Sequence, residues 1–266
     1  CSSDLLDVNA ALRETSYKVG GAVTTFKVGA TYDAPDGALE GIRLRGTYSR
    51  DIRAPSLGDL FAGGRVGQGV QFDPFRNLSV PNVLSPQIGN PKLTPEIAHQ
   101  TGAGVVYSPA WFPGFDVSFD AFKIDIKNVI SIVSAQNEIN ACYAGNTAYC
   151  GFIIRDASGA LVQIISAPAN TAFEKESGFD VEASYRKSMA DFVDSWSGNI
   201  TLRALATKIA KQDTTDALGN VVRLAGQNTG GVPTWTYSVS ATYSTDDFSV
   251  AWVGRGISAE IGRAHV

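Results

Sequence analysis

At 266 residues, 44% hydrophobic and with a formal net charge of −4, the chain suits one or two soluble domains or part of a large barrel. Its slight acidity and the lack of any Lys/Arg block argue against a nucleic-acid surface. It contains no apolar run of about 18 residues, which excludes a membrane helix but not membrane strands, since these need only about 9–11 alternating residues.

Both ends look foreign. Cys1-Ser2-Ser3-Asp4-Leu5 and Glu260-Ile261-Gly262-Arg263-Ala264-His265-Val266 resemble translations of a common DNA-sequencing adapter read on its two strands. Residues 1–5 and 260–266 are therefore expected to be adapter-derived and not part of the fold, and the rest is expected to be an internal piece of a longer protein. This leaves one histidine, His99, and two cysteines, Cys142 and Cys150.

Leu6 to Thr15 is a weak strand. From Val23 to Tyr32, residues Thr24, Phe26, Val28, Ala30 and Tyr32 share one face, and Ala34-Pro35-Asp36-Gly37 then predicts a tight turn. Gly41 to Ser49 returns as a strand, with Ile42, Leu44, Gly46 and Tyr48 opposite Arg43, Arg45, Thr47 and Ser49. Asp51 to Ile97 carries too many prolines and glycines for one regular element, although Pro55 to Phe61 suits a short helical turn. So long a loop points to a lid or a binding loop.

Gln100 to Tyr107 reads as a short strand with Gly102 and Gly104 on a closely packed face. A turn follows at Pro109 to Gly114, rimmed by Trp111 and Phe112. Phe115 to Ile126 is the clearest strand, setting Phe115, Val117, Phe119 and Ala121 against Asp116, Ser118 and Asp120. Asn128 to Phe173 is a second long excursion. Strands at Glu176 to Arg186 and Ser197 to Ile209 come next, then a polar loop at Ala210 to Gly231. Trp235 to Thr245 and the strand from Phe248 close the series around Thr245-Asp246-Asp247.

Short turns near Pro35, Pro113, Met189 and Asp246 thus alternate with long excursions, so in an antiparallel row all short turns fall at one end and all long loops at the other. That asymmetry marks an outer-membrane barrel with short periplasmic turns and long extracellular loops. Tyr32, Tyr48, Tyr107, Trp111, Tyr185, Trp235 and Tyr243 lie near strand ends, where interfacial rings sit. A soluble β-sandwich remains open at this point, because alternation serves both folds.

Three segments, in order, resemble the barrels of TonB-dependent outer-membrane receptors. They are Tyr48-Ser49-Arg50-Asp51-Ile52-Arg53-Ala54-Pro55-Ser56-Leu57-Gly58-Asp59-Leu60-Phe61, then Asn90-Pro91-Lys92-Leu93-Thr94-Pro95-Glu96, then Phe119-Asp120-Ala121-Phe122-Lys123-Ile124-Asp125-Ile126-Lys127-Asn128-Val129-Ile130. Ser177-Gly178-Phe179-Asp180-Val181-Glu182 opens a later strand, as in that family. The resemblance implies an all-β fold: about ten strands (residues 6–259) of an antiparallel transmembrane barrel of 22 strands whose plug domain is missing here. It also implies uptake of a scarce nutrient (siderophore-iron, haem, cobalamin or oligosaccharide), driven through the TonB complex by way of the missing N-terminal part. The expected partners are that complex, a nutrient ligand at the extracellular loops and outer-membrane lipid. A passive porin-like channel and a soluble extracellular β-rich binding module are the alternatives.

Outside the cytoplasm, Cys142 and Cys150 are expected to form a loop disulfide rather than a metal pair, since no histidine is near them. Arg43, Arg45, Arg50 and Arg53 read as a basic ladder that either faces an anionic cargo or supplies ordinary wall polarity. The loop aromatics Phe61, Phe72, Tyr143 and Tyr149 are candidate cargo contacts, alongside Phe75 and Phe152. Enzyme chemistry has little to stand on. His99 is alone, Asp116 and Asp120 lie roughly 13 Å apart along one strand, and no Gly-x-Ser-x-Gly or phosphate loop occurs. No cofactor, catalytic residue or metal ligand is expected.

Overall fold

The computed structural model describes residues 5–18, 21–35, 37, 39–227 and 230–259. The adapter-like ends, apart from Leu5, and Asp36 of the expected Pro35 turn lie outside them. The chain order is β1 (Leu6–Tyr17), β2 (Gly21–Asp33), β3 (Ile42–Arg53), α1 (Leu57–Phe61), β4 (Arg65–Asp73), β5 (Leu78–Gln87), β6 (Glu96–Tyr107) and β7 (Phe115–Ser131). It continues with α2 (Ala135–Tyr143), a 3₁₀ turn (Thr147–Phe152), β8 (Ile153–Arg155), β9 (Leu161–Ile164), β10 (Ala169–Ser188), β11 (Asn199–Thr215), β12 (Val221–Arg223), β13 (Trp235–Ser244) and β14 (Ser249–Ile257).

Ten strands form one sheet in the order β1-β2-β3-β6-β7-β10-β11-β13-β14, with β12 paired to β11. Every pairing in it is antiparallel. The expected short turns all fall at one end, which we call the short-turn end. One connection at the opposite, long-loop end is also short, since β1 stops at Tyr17 and β2 starts at Gly21.

The two faces of this wall differ in chemistry. On one face Leu12 is 76% exposed, Val250 62% and Trp252 61%, and Leu44, Phe119, Leu202 and Tyr237 are also exposed. The other face carries the ion pairs Arg45–Asp120 and Arg203–Glu182. A continuous exposed apolar face is costly in water and natural against lipid. On β13 the outward rings Trp235 and Tyr243 are separated by roughly 20 Å along the barrel axis, allowing for strand tilt, close to the apolar band of about 25 Å that an outer-membrane barrel shows.

The long excursions contain more order than their prolines and glycines suggest. β3 runs on to Arg53 and β6 begins at Glu96, and between them β4 and β5 pair as a hairpin. Pro81 and Asn82, the latter at φ 58°, sit where the register shifts opposite Val70, so Pro81 occupies a bulge. Pro86 needs no donor on its outer side, because its carbonyl accepts from Ser166 N at 3.0 Å. The second excursion is likewise shorter, since β7 extends to Ser131 and β10 starts at Ala169. In the third, β11 continues to Thr215 and pairs with β12.

The first two excursions fold together as a second sheet, β4-β5-β9-β8, with α2 against it. Its apolar core comprises Val83, Ile139, Leu161 and Ile164, packed by Val80, Ala135 and Ile153. We call this unit the canopy. In a soluble sandwich the core would lie between two large sheets. Here the buried cluster belongs to the loops, and the apolar face of the wall stays uncovered.

Candidate functional site: the polar wall face and the loop canopy

The polar face is arranged as cross-strand pairs. Arg43 Nε donates to Asp33 Oδ1 at 2.5 Å, and Arg203 Nε to Glu182 Oε1 at 2.6 Å. Arg45 Nε donates to Asp120 Oδ1 at 2.6 Å, with a second bond from Nη2 to Oδ2. Thr207 Oγ1 donates to Asp180 at 2.5 Å, and Ser108 Oγ to Asp116 at 2.5 Å. At the long-loop end Arg53 Nε bonds Glu96 Oε2 at 2.6 Å, and Glu96, itself buried, also accepts the Ile130 amide at 2.7 Å.

The structure splits the arginine ladder. Arg43, Arg45 and Arg53 share the polar face, and each is matched to a carboxylate. Arg50 has the opposite parity on β3, pairs in register with His99, and donates to the Thr24 carbonyl. Its side chain belongs to the apolar face near the long-loop end, so it is not part of a polar-face ladder. His99 lies on that same face, its Nδ1 3.0 Å from the Tyr48 hydroxyl.

In the canopy, an ion pair between residues 82 positions apart ties the two excursions. Arg155 Nη2 donates to Asp73 Oδ1 at 2.9 Å and Nη1 to Oδ2 at 2.5 Å, while Asp73 is fully buried. The Arg155 guanidinium holds the Asp73 carboxyl below the usual carboxylate range. Arg155 also stacks 5.2 Å from the Phe75 ring, which meets Tyr143 edge-on at 5.0 Å. Gln136 clasps the Phe72 backbone through both amide atoms, at 2.7 and 2.9 Å.

Cys142 and Cys150 form a disulfide that joins α2 to the 3₁₀ turn, with Cα atoms 5.0 Å apart. Below it Glu138 is buried with Oε2 unpartnered, and burial pushes its carboxyl up to about 7. Burial also raises the Tyr149 hydroxyl, with a smaller contribution from Glu138.

Of the aromatic candidates, Phe61 on α1, Phe72 and Tyr143 are exposed, and Tyr149 is half-buried. An open recess of about 400 Å³ lies between the hairpin and α2, lined by Gln68, Gln71, Ser85, Gln87, Ser134 and Ser166 among others. No charged side chain lines it. Among the described residues, no three His, Cys, Asp or Glu side chains converge into a metal-sized group. Asp73, Arg155, Gln136 and Glu138 were not singled out from sequence. Each is one polar residue in a long loop; Asp73, Arg155 and Gln136 find their partners far away in the chain, and Glu138 Oε2 finds none.

The sequence profile described as "TonB dependent receptor-like, beta-barrel" matches residues 2–263. The chain belongs to this TonB-dependent receptor β-barrel family. Family members are receptors and transporters of the outer membrane rather than enzymes. No curated relative matches the chain significantly in sequence. Among solved structures, it is similar to a mutant of the ferric enterobactin receptor PfeA from Pseudomonas aeruginosa, with a TM-score of 0.61 and 16% identity over 94% of this chain and 30% of that one. The siderophore receptor PirA from Acinetobacter baumannii gives 0.60 and 18% over 97% and 33%. The copper transporter OprC gives 0.51 and 13% over 96% and 33%. The chain therefore spans about a third of the length of the solved receptors it resembles, and the shared property is the barrel fold.

Proposed function

We propose that the chain forms part of the wall and the external loops of an outer-membrane receptor that takes up a scarce nutrient. The short turns then face the periplasm and the canopy faces outward. The observation that carries this reading is the family match together with an uncovered apolar wall face. The paired polar face lines the lumen, where a plug domain would sit. Energy would reach the plug through TonB, and no bond in the cargo is made or broken.

The canopy is the part suited to first capture. Its recess offers amides and hydroxyls, which favours a cargo held by hydrogen bonds over one held by charge. Phe61, Phe72, Tyr143 and Tyr149 supply rings for stacking. The polar-face arginines Arg43, Arg45 and Arg53 are already neutralised, so wall polarity describes them better than capture of an anion. Siderophore-bound iron, haem, cobalamin and oligosaccharides are the cargo classes to test.

The test is uptake of that panel by a strain lacking the gene, the same strain complemented, and both treated with a protonophore. Loss of one cargo on deletion, restoration on complementation and abolition by the protonophore are expected. Uptake that simply follows the cargo gradient and ignores the protonophore would assign a passive channel instead.

A further inference from the structure

The lipid-facing side of the wall changes character abruptly at the long-loop end. Ser177 on β10 pairs in register with Lys123 on one side and Lys211 on the other. Lys175 lies two residues further along the same face of β10. Lys208, on β11, pairs with Phe179. Four lysines thus surround one serine hydroxyl, with Lys123 and Lys211 about 10 Å apart across two strand spacings. Asp125 and Asp213 temper the cluster, pairing with Lys123 at 2.9 Å and Lys211 at 3.2 Å, and both flank Lys175 in register. Two positive charges remain in excess, and Lys175 and Lys208 have no carboxylate partner among the described residues.

Directly below, toward the middle of the wall, the rings of Phe119, Phe179 and Trp235 form a continuous step. Phe119 and Phe179 are 5.2 Å apart, and Phe179 meets Trp235 edge-on at 5.6 Å. Lys208 lies 5.2 Å from the Trp235 ring, so its ammonium rests on the step. The same face at the short-turn end carries Lys187, which is matched to Asp191 at 2.7 Å. The cationic excess therefore belongs to one rim.

We infer that this cluster is a binding site for the phosphate-bearing headgroup of an anionic outer-leaflet lipid. The lysines around Ser177 would take the phosphates, and the acyl chains would run down over Phe119 and Phe179. Charge complementarity and the apolar step beneath it specify such a ligand, because a free phosphate has no use for the step. The inference rests on the outward orientation of the long loops proposed above.

The test uses the full-length protein carrying this chain, extracted in a mild nonionic detergent and mixed with bisphosphorylated lipid A or its dephosphorylated form. Retained lipid is counted by native mass spectrometry. Wild type should retain the phosphorylated lipid at least about tenfold better than a Lys123→Gln/Lys175→Gln/Lys208→Gln/Lys211→Gln variant, whereas the corresponding four arginine replacements and Lys187→Gln should behave as wild type. The dephosphorylated lipid should not distinguish wild type from the glutamine variant. Equal retention of phosphorylated lipid A by wild type and the glutamine variant, or displacement of that lipid by millimolar inorganic phosphate, would overturn the proposal while leaving the barrel reading intact. A protein that stays monodisperse without detergent and carries no lipid would instead count against the membrane reading itself.

Discussion

Arg45 and Asp120 meet across a strand that belongs to neither of them. Arg45 is on β3 and Asp120 on β7, and between them, in register with both, stands Gly104 of β6. A methyl group on Gly104 would overlap the Asp120 carboxylate. The glycine is the opening through which two non-adjacent strands are tied.

Filling that opening should cost more than deleting the pair. The ion pair is part-exposed, so Arg45→Ala is expected to cost less than about 1 kcal/mol. Gly104→Val forces the carboxylate aside and overpacks the face, at about 1–3 kcal/mol. Heat-modifiable gel migration of the full-length protein would rank the two, and a Gly104→Val protein melting with wild type would contradict the account.

The two wall faces should differ in how well they tolerate charge. Val181 pairs with Phe119 on the lipid-facing side, and Ser118 lies on the polar side opposite Glu182. Val181→Arg is expected to cost about 2–4 kcal/mol, as an arginine near the bilayer midplane does, whereas Ser118→Arg should fall well below that. Urea titration of the protein refolded into lipid vesicles measures both.

Within the canopy, Arg155→Ala strands the buried Asp73 carboxylate. The expected loss is about 3–5 kcal/mol of local stability, as for other broken buried pairs. Hydrogen exchange should accelerate in β4, β5, β8 and β9 and remain slow in β7, β10 and β11. Because the folded Asp73 pKa is depressed, the stability it confers is present above the ordinary carboxylate range and is lost as pH falls through the folded value.

Glu138 works in the other direction. Its folded pKa of about 7 lies above the ordinary 4.5, so the folded canopy holds a proton that the opened loop releases. The Glu138 contribution to canopy stability is whole below about pH 4.5, declines as pH rises toward 7, and is flat beyond, a loss on the order of 3 kcal/mol. Limited proteolysis of the loops between pH 5 and pH 8 should show this decline, and Glu138→Gln should flatten it.

The wall was legible because period-two alternation is a local signal, and it gave even the lipid-facing set Phe119, Val181, Leu202 and Tyr237. The same rule was available for the arginines. Residues 43, 45 and 53 share a parity that residue 50 lacks, and the strand extends far enough for that parity to govern all four. The canopy was not legible. Pro81 and Pro86 read as breakers, although one occupies a bulge and the other faces a neighbour that needs only its carbonyl. Asp73 and Arg155 carry no mark of each other, since a contact spanning 82 positions is set by how two loops pack. Gly104 reads in the sequence as a close-packing glycine, but the pair that it admits depends on strand order.

The central claim is that this sheet stands in a bilayer with one face to lipid and one to a wet lumen. Single spin labels at positions 200 to 207 of β11, in the full-length protein reconstituted into vesicles, test it most directly. Collisions with oxygen should peak at Ile200, Leu202, Ala204 and Ala206, and collisions with a water-soluble nickel reagent at Thr201, Arg203, Leu205 and Thr207. Equal access of the nickel reagent to both sets would place the sheet in water and contradict the account.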